Sequence, residues 1–352
     1  MSETRVFGNL NNKEVLEYTI RNNKGTKVDI IEFGAIVKSL FVADKFGINE
    51  DIVLGYQTLS DYIDDQYYFG AIVGRVANRI SYSKFNLNNT TYILTNNVGQ
   101  HHLHGGYVGF NKVIWDSHIN NEKENSVIFK YLSKDGEEGY PGNVNLEVTY
   151  SLSEYDELIV EYFGNTDKTT VLNPSHHSYF NLSGKLTESV LNHTLIINAD
   201  NFTPVNSNLL PTGEIKEVNG SALDFRTDKS IGEHINNSEE QLILAGGYDH
   251  NFILNDYSQD KLIYAARVTE KNSGRILDVY TDQPGVQFYS GNFLNDKIIG
   301  KDGISYNHRT GFCLETQHYP DSPNNITFPP IVLQPGEKYK QKTIYRFSIN
   351  SK

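Results

Sequence analysis

In the segment NVNLEVTYSLSEYDELIVEYF, residues 143–163, Val144, Leu146, Val148, Tyr150 and Leu152 alternate with polar or small residues. After a polar turn, Leu158, Val160 and Tyr162 repeat the pattern. A period of two puts every second side chain on one face, so the segment reads as a pair of half-buried strands joined by a turn. The same alternation returns elsewhere. KFNLNNTTYIL (84–94) carries Phe85 and Leu87, then Tyr92 and Leu94, across an Asn-Asn turn, and KQKTIYRFSI (340–349) reads as a further strand. Asn and Gly punctuate these runs, as in NNKG at 22–25 and NSG at 272–274. Helical periodicity is confined to short stretches around Leu59 to Ile63 and Ile231 to Gln241. No Pro-rich or Ser-rich linker, charge run or fixed-period repeat divides the chain. The expectation is an all-β chain: one large antiparallel β-sandwich with few short helices, residues 1–352 forming a single domain.

With 352 residues, 38% hydrophobic and 21% charged, the chain is long enough to bury a sizeable core. A formal net charge of −12 disfavours nucleic acid and anionic membrane surfaces as partners, because both need a basic face. A neutral small molecule meets no such penalty. The single Cys313 excludes an internal disulfide and a cysteine-cluster metal site, and its apolar surroundings make it a small core hydrophobe. The start, MSETRVFGNLNNKE, has no apolar run behind a basic stretch, and no segment is long and apolar enough to span a membrane. A cytoplasmic protein is expected.

Six segments carry residues suited to chemistry. FCLETQHYPDSPN (312–324) places Glu315 between an apolar run and a Pro-broken loop, where a sheet protein exposes a reactive acid beside a mobile mouth. GRVANRI (74–80) supplies the Asn78 amide and the forked Arg79 guanidinium, a pair suited to sugar hydroxyls, with Gly74 and Ala77 permitting close backbone approach. HHLHGG (101–106) has three histidines; in an extended strand His102 and His104 share a face, which with His176 or His177 would suit a metal. NPSHHSYFNL (173–182) has adjacent His176 and His177 on opposite faces, His177 sharing its face with Tyr179 and His176 with Phe180, so only one of the two can serve a pocket. GGYDHNFIL (246–254) offers Asp249, whose carboxylate can accept two hydroxyl hydrogen bonds or close an Asx-turn. PGVQFYSGNFL (284–294) alternates Gln287 and Tyr289 with Phe288, putting an amide and a ring on one side, whereas Trp115 reads as core.

Taken in order, these segments closely resemble those of the aldose 1-epimerases, also called galactose mutarotases. The resemblance extends to DIVLGYQTLSDY (51–62) and LHGGYVGFNKVIW (103–115) and runs from about Phe33 to Tyr345. It implies a galactose mutarotase-like supersandwich that interconverts the α and β anomers of aldohexoses such as galactose and glucose, as in galactose metabolism, with no metal and no organic cofactor. It implies Glu315 as the catalytic base on O1–H and His177, the histidine of HxYFNL, as the acid on ring O5. His104 would lie by the ring oxygen, while Asn78, Arg79, Asp249 and Gln287 would hold hydroxyls and Tyr179 would border the site. The family usually has Asn where this chain has His176; YFNL sets the register and selects His177. His318 stands at a variable position, as a substrate contact or as part of the mouth. Unperturbed values of about 4.3 for Glu and 6.5 for His would leave Glu315 ionised and His177 protonated over a shared range. A monomer or homodimer is expected. A metal-dependent enzyme using His102 and His104, and a silent sugar-binding module lacking any need for Glu315 and His177 together, are the rival readings.

Overall fold

In the computed structural model, which describes residues 2–350, the strand pair at 143–163 lies inside a nine-stranded antiparallel sheet. Val144–Leu152 pairs with Glu157–Thr166, setting Val148 opposite Tyr162 and Tyr150 opposite Val160. Leu158, Val160 and Tyr162 are all buried on one face, as the alternation requires. The long strand Tyr339–Ile349 occupies the middle of this sheet, between Glu157–Thr166 and Arg275–Thr281. The hairpin at 84–94 forms as Lys84–Leu87 and Thr90–Ile93, with Phe85 opposite Tyr92 and their rings stacked 5.5 Å apart.

A second sheet of five strands carries Asp249–Ile253, Gly285–Tyr289 and Cys313–Gln317 side by side. Its pleat gives each strand two roles. Leu314, Phe288 and Phe252 face the core, where Thr316 Oγ1 lies 2.6 Å from Thr343 Oγ1 of the central strand. Cys313, Glu315 and Gln317 face the other way. A third, N-terminal sheet of five strands packs on the same face of the large sheet: the Tyr18 ring packs edge-on against Phe129, and Tyr150 Oη donates to Ala35 O at 2.9 Å. Ile20, Val28, Val148, Val160, Leu277, Val286 and Leu314 thus join one apolar cluster drawn from all three sheets, and Trp115 is fully buried in it. Cys313 is likewise a buried, unpaired thiol.

Helix is scarce. Leu59–Asp64 forms as the periodicity predicts, with Thr58 accepting from Asp61 N and the Asp61 side chain reciprocating. The second expected helix is displaced: residues 231–237 are turns and bends, and the helix is Glu240–Ala245. Asn236, Asn237 and Ser238 interrupt the stretch, because their side chains compete for nearby backbone groups and favour turns. Ile231 and Ile235 still reach the core, from irregular backbone.

Candidate active site

The site begins with a close backbone contact. Gly105 has φ +91°, and a Cβ there would lie 1.7 Å from Gly74 O, so only glycine lets this loop settle on the GRVANRI segment. That packing corrects the expected alternation of the histidines. The strand is only His102–Leu103, and His104 turns out of it with φ +50°. His102 therefore points into the interior, its Nδ1 2.6 Å from Thr95 O and its Nε2 2.8 Å from Tyr140 Oη. His104 faces the cavity, which His101 also lines and His102 does not. His104 Nδ1 accepts the Asn78 N–H at 3.1 Å, so the neutral ring carries its proton on Nε2.

The adjacent pair separates as expected. His176 lies in the core, its Nε2 2.7 Å from Ser178 Oγ and its ring beside Tyr150 and Tyr345. His177 faces the cavity, with Nε2 3.6 Å from Glu315 Oε1 and Nδ1 3.7 Å from Cys313 Sγ. The Tyr68 and His104 rings flank it at 5.7 and 5.1 Å. On the neighbouring strands Gln287 stands directly opposite both Glu315 and Asn251. Gln287 Nε2 donates to Asp249 Oδ1 at 2.6 Å, and Arg79 Nη1 lies 3.9 Å from Asp249 Oδ2.

Asn78, Arg79, His104, His177, Tyr179, Asp249 and Glu315 all line one cavity of about 700 Å³. Gln287 does not line it; buried at 3% exposure, it holds Asp249 in place. His318 is also turned away, its Nδ1 3.0 Å from Gln283 Oε1. Sequence reasoning missed part of the wall: Tyr68, Phe293 and the loop Ser207–Leu209. Tyr68 lies in an aromatic run without periodicity and has φ +62°, a conformation that no residue pattern announces.

Burial rearranges the charges. It pushes Glu315 well above the usual carboxylate range, with Asp249 adding to the shift and Arg79 opposing it. It pushes His177 down to about 4. His104 falls well below the usual imidazole range through burial, then through His177 and Arg79. Asp249 is raised by burial against the pull of Arg79 and Gln287. The unperturbed values therefore order the pair wrongly: with both groups out of water, the neutral acid and neutral imidazole are favoured over carboxylate and imidazolium. The two arrangements hold the same single proton, and the titrations belong to the pair.

The ligand atoms of His104, His177 and Glu315 fall within 4.8 Å of one another, as a metal site would require. The donor set does not fit. A cation needs a lone pair on His104 Nε2, and the Asn78 N–H on Nδ1 puts a proton there instead. His102, the other half of the HxH reading, faces the core.

The chain matches the aldose 1-epimerase family over residues 17–346. It is 45% identical to the galactose mutarotase of Bos taurus, an alignment covering 92% of this chain and 91% of that protein. It is 36% identical to the aldose 1-epimerase of Escherichia coli K12, covering 94% of each. The crystal structure of galactose 1-epimerase from Lactobacillus acidophilus superposes with a TM-score of 0.88 at 30% identity and covers 99% of both chains. A match across this much of the chain shows that the protein is a member of the aldose 1-epimerase family.

Proposed function

We propose that this protein interconverts the α and β anomers of aldohexoses such as D-galactose and D-glucose, with Glu315 as base and His177 as acid. The observation that carries the reading is the buried pair itself: His177 Nε2 lies 3.6 Å from Glu315 Oε1 at the base of a cavity that also presents Asn78, Arg79 and Asp249. The Asp249 carboxylate accepts from neighbouring hydroxyls, the Arg79 fork donates to them, and Gln287 keeps Asp249 oriented.

A hemiacetal opens when O1 loses its proton and ring O5 gains one. Glu315 takes the O1 proton, His177 delivers a proton to O5, and the C1–O5 bond breaks as the C1–O1 bond becomes a carbonyl. Rotation about C1–C2 presents the other aldehyde face. Closure then returns the O5 proton to His177 and the Glu315 proton to O1, so the pair ends with the one proton it began with. Carboxylate with imidazolium is the arrangement that acts. It differs from the neutral resting pair by one transfer, and the Arg79 cation favours it. His104 stays neutral and donates from Nε2 towards the ring oxygen. Each positioned transfer typically contributes about 10²–10⁴-fold.

Polarimetry on freshly dissolved α-D-galactose and α-D-glucose, with EDTA present, tests the proposal. The expected result is faster decay to an unchanged final rotation. Absence of acceleration with both sugars overturns it.

A further inference from the structure

We infer that Gln317 is a positioning residue for this chemistry: its amide follows the proton on Glu315, accepting from the acid and donating to the carboxylate. The inference rests on the reaction proposed above. Glu315 and Gln317 sit two residues apart on one face of Cys313–Gln317, a spacing of about 7 Å that a glutamine side chain can span. Gln317 is fully buried, and neither its Oε1 nor its Nε2 has a hydrogen-bond partner among the described residues; the same holds for Glu315 Oε2. Buried amides are nearly always paired, so a wholly unpaired one beside a reactive carboxyl calls for a role.

The surroundings limit what that role can be. Gln287 Oε1 and Asn251 Oδ1 are also unpartnered, both from residues in the cross-strand row of Glu315. Gly285 stands opposite Gln317, and a Cβ there would lie 2.5 Å from Asn251 Oδ1, so the Asn251 amide occupies the space over Gly285. The amide nitrogens of these neighbours are each held by one hydrogen bond: Gln287 Nε2 to Asp249, and Asn251 Nδ2 to Thr203 Oγ1 at 3.4 Å. Among these side chains, only the Gln317 amide has both N–H groups free.

The titratable groups around Glu315 do not supply a donor to Oε2. They are His177 and Tyr179, His104, Arg79, Asp249, Cys313 of its own strand, and Tyr345 of the central strand. Tyr345 Oη donates to Leu314 O at 3.3 Å. When Glu315 carries the proton, the surplus of amide oxygens can accept it; when the carboxylate forms, a half-turn of the Gln317 amide presents N–H in place of C=O. No proton is gained or lost by Gln317.

Gln317→Met keeps the volume and removes both functions. The expected result is a kcat lower by roughly tenfold, a sugar KM within about twofold of wild type, and an alkaline limb of the kcat profile moved to higher pH, because the carboxylate loses its donor. An unmoved profile with wild-type kcat overturns the inference, as does a raised KM with kcat retained, which marks a sugar contact instead. Should Gln317→Met not fold, the infrared carboxyl C=O band of the wild type, assigned by its loss in Glu315→Gln, decides: a hydrogen-bonded frequency supports the inference and a free-carboxyl frequency overturns it. A wild type inert on sugars sinks the proposed function; an active wild type with an unmoved Gln317→Met profile sinks only this inference.

Discussion

Replacing Glu315 with Gln preserves the side-chain shape and removes only its ability to titrate, so two quantities should move in opposite directions. The first is turnover. Glu315 is 2% exposed and faces His177 across 3.6 Å, and among the described residues no other carboxylate pairs with that imidazole. Loss of the base should lower kcat by about 10²–10⁴-fold, or roughly 3–5 kcal/mol of barrier. KM should change little, because Asn78, Arg79 and Asp249 are untouched. The second quantity is stability. Burial, aided by Asp249, raises the folded-state pKa of Glu315 above its unfolded value. Above the unfolded value of about 4.3 the unfolded chain gives up this proton while the folded chain keeps it, so each pH unit removes about 1.4 kcal/mol until the folded value is reached. Gln escapes this loss. Glu315→Gln should therefore be more stable than wild type at pH 8, with the advantage shrinking towards pH 4. Polarimetry at saturating galactose and urea unfolding at several pH values measure both effects. Turnover above about a tenth of wild type would show that another group takes the O1 proton. A variant less stable than wild type at pH 8 would refute the desolvation argument.

Three further outcomes are expected. The pH dependence of kcat should be bell-shaped, because the active pair holds one proton and fails with none or two; a flat rate from about pH 5 to 9 in the chemistry-limited regime counts against the pair. Asp249→Asn removes the charge that grips hydroxyls and should raise the galactose KM by roughly 10- to 100-fold, the range of a charge-assisted hydrogen bond; an unchanged KM would place the hydroxyls elsewhere. Burial lowers His176 and His250 to about 3 and His193 to about 4. The unfolded chain binds these protons below about pH 6.5 and the folded chain does not, so stability should fall by about 1.4 kcal/mol per histidine for each pH unit from 6.5 towards 4. His176→Asn should reduce that slope by about 1.4 kcal/mol per pH unit, one histidine's share, and an unaltered slope would show that His176 does not titrate on unfolding.

Much of the architecture was legible because a half-buried strand writes its face into the chain. Leu158, Val160 and Tyr162 needed only their spacing, and alternation put His176 and His177 on opposite faces, while the choice of His177 came from the resemblance, through YFNL. What escaped the sequence depends on contacts between distant segments. His104 leaves its strand because Gly105 packs on Gly74, a contact that alternation cannot express. Gln287 supports Asp249 because the two amide-bearing strands lie in register, and that register belongs to the sheet. The proton order of Glu315 and His177 reverses because burial is a property of the assembled cavity. The stretch 231–241 misled because Ile231 and Ile235 match a helical face, whereas Asn236 and Asn237 set the local backbone.

The place of Tyr339–Ile349 in the middle of the large sheet has a kinetic consequence. Its neighbours, Glu157–Thr166 and Arg275–Thr281, do not pair with each other; each completes its hydrogen bonding through this later strand. During synthesis the earlier strands must wait, with open edges and apolar faces, until residues 339–349 have emerged. Loop-closure entropy over such separations slows nucleation, so assembly should be slow compared with that of a helical chain of equal length. The waiting chain presents the edges that a chaperone would shield, and recovery of the cavity on refolding would report closure of the whole sheet.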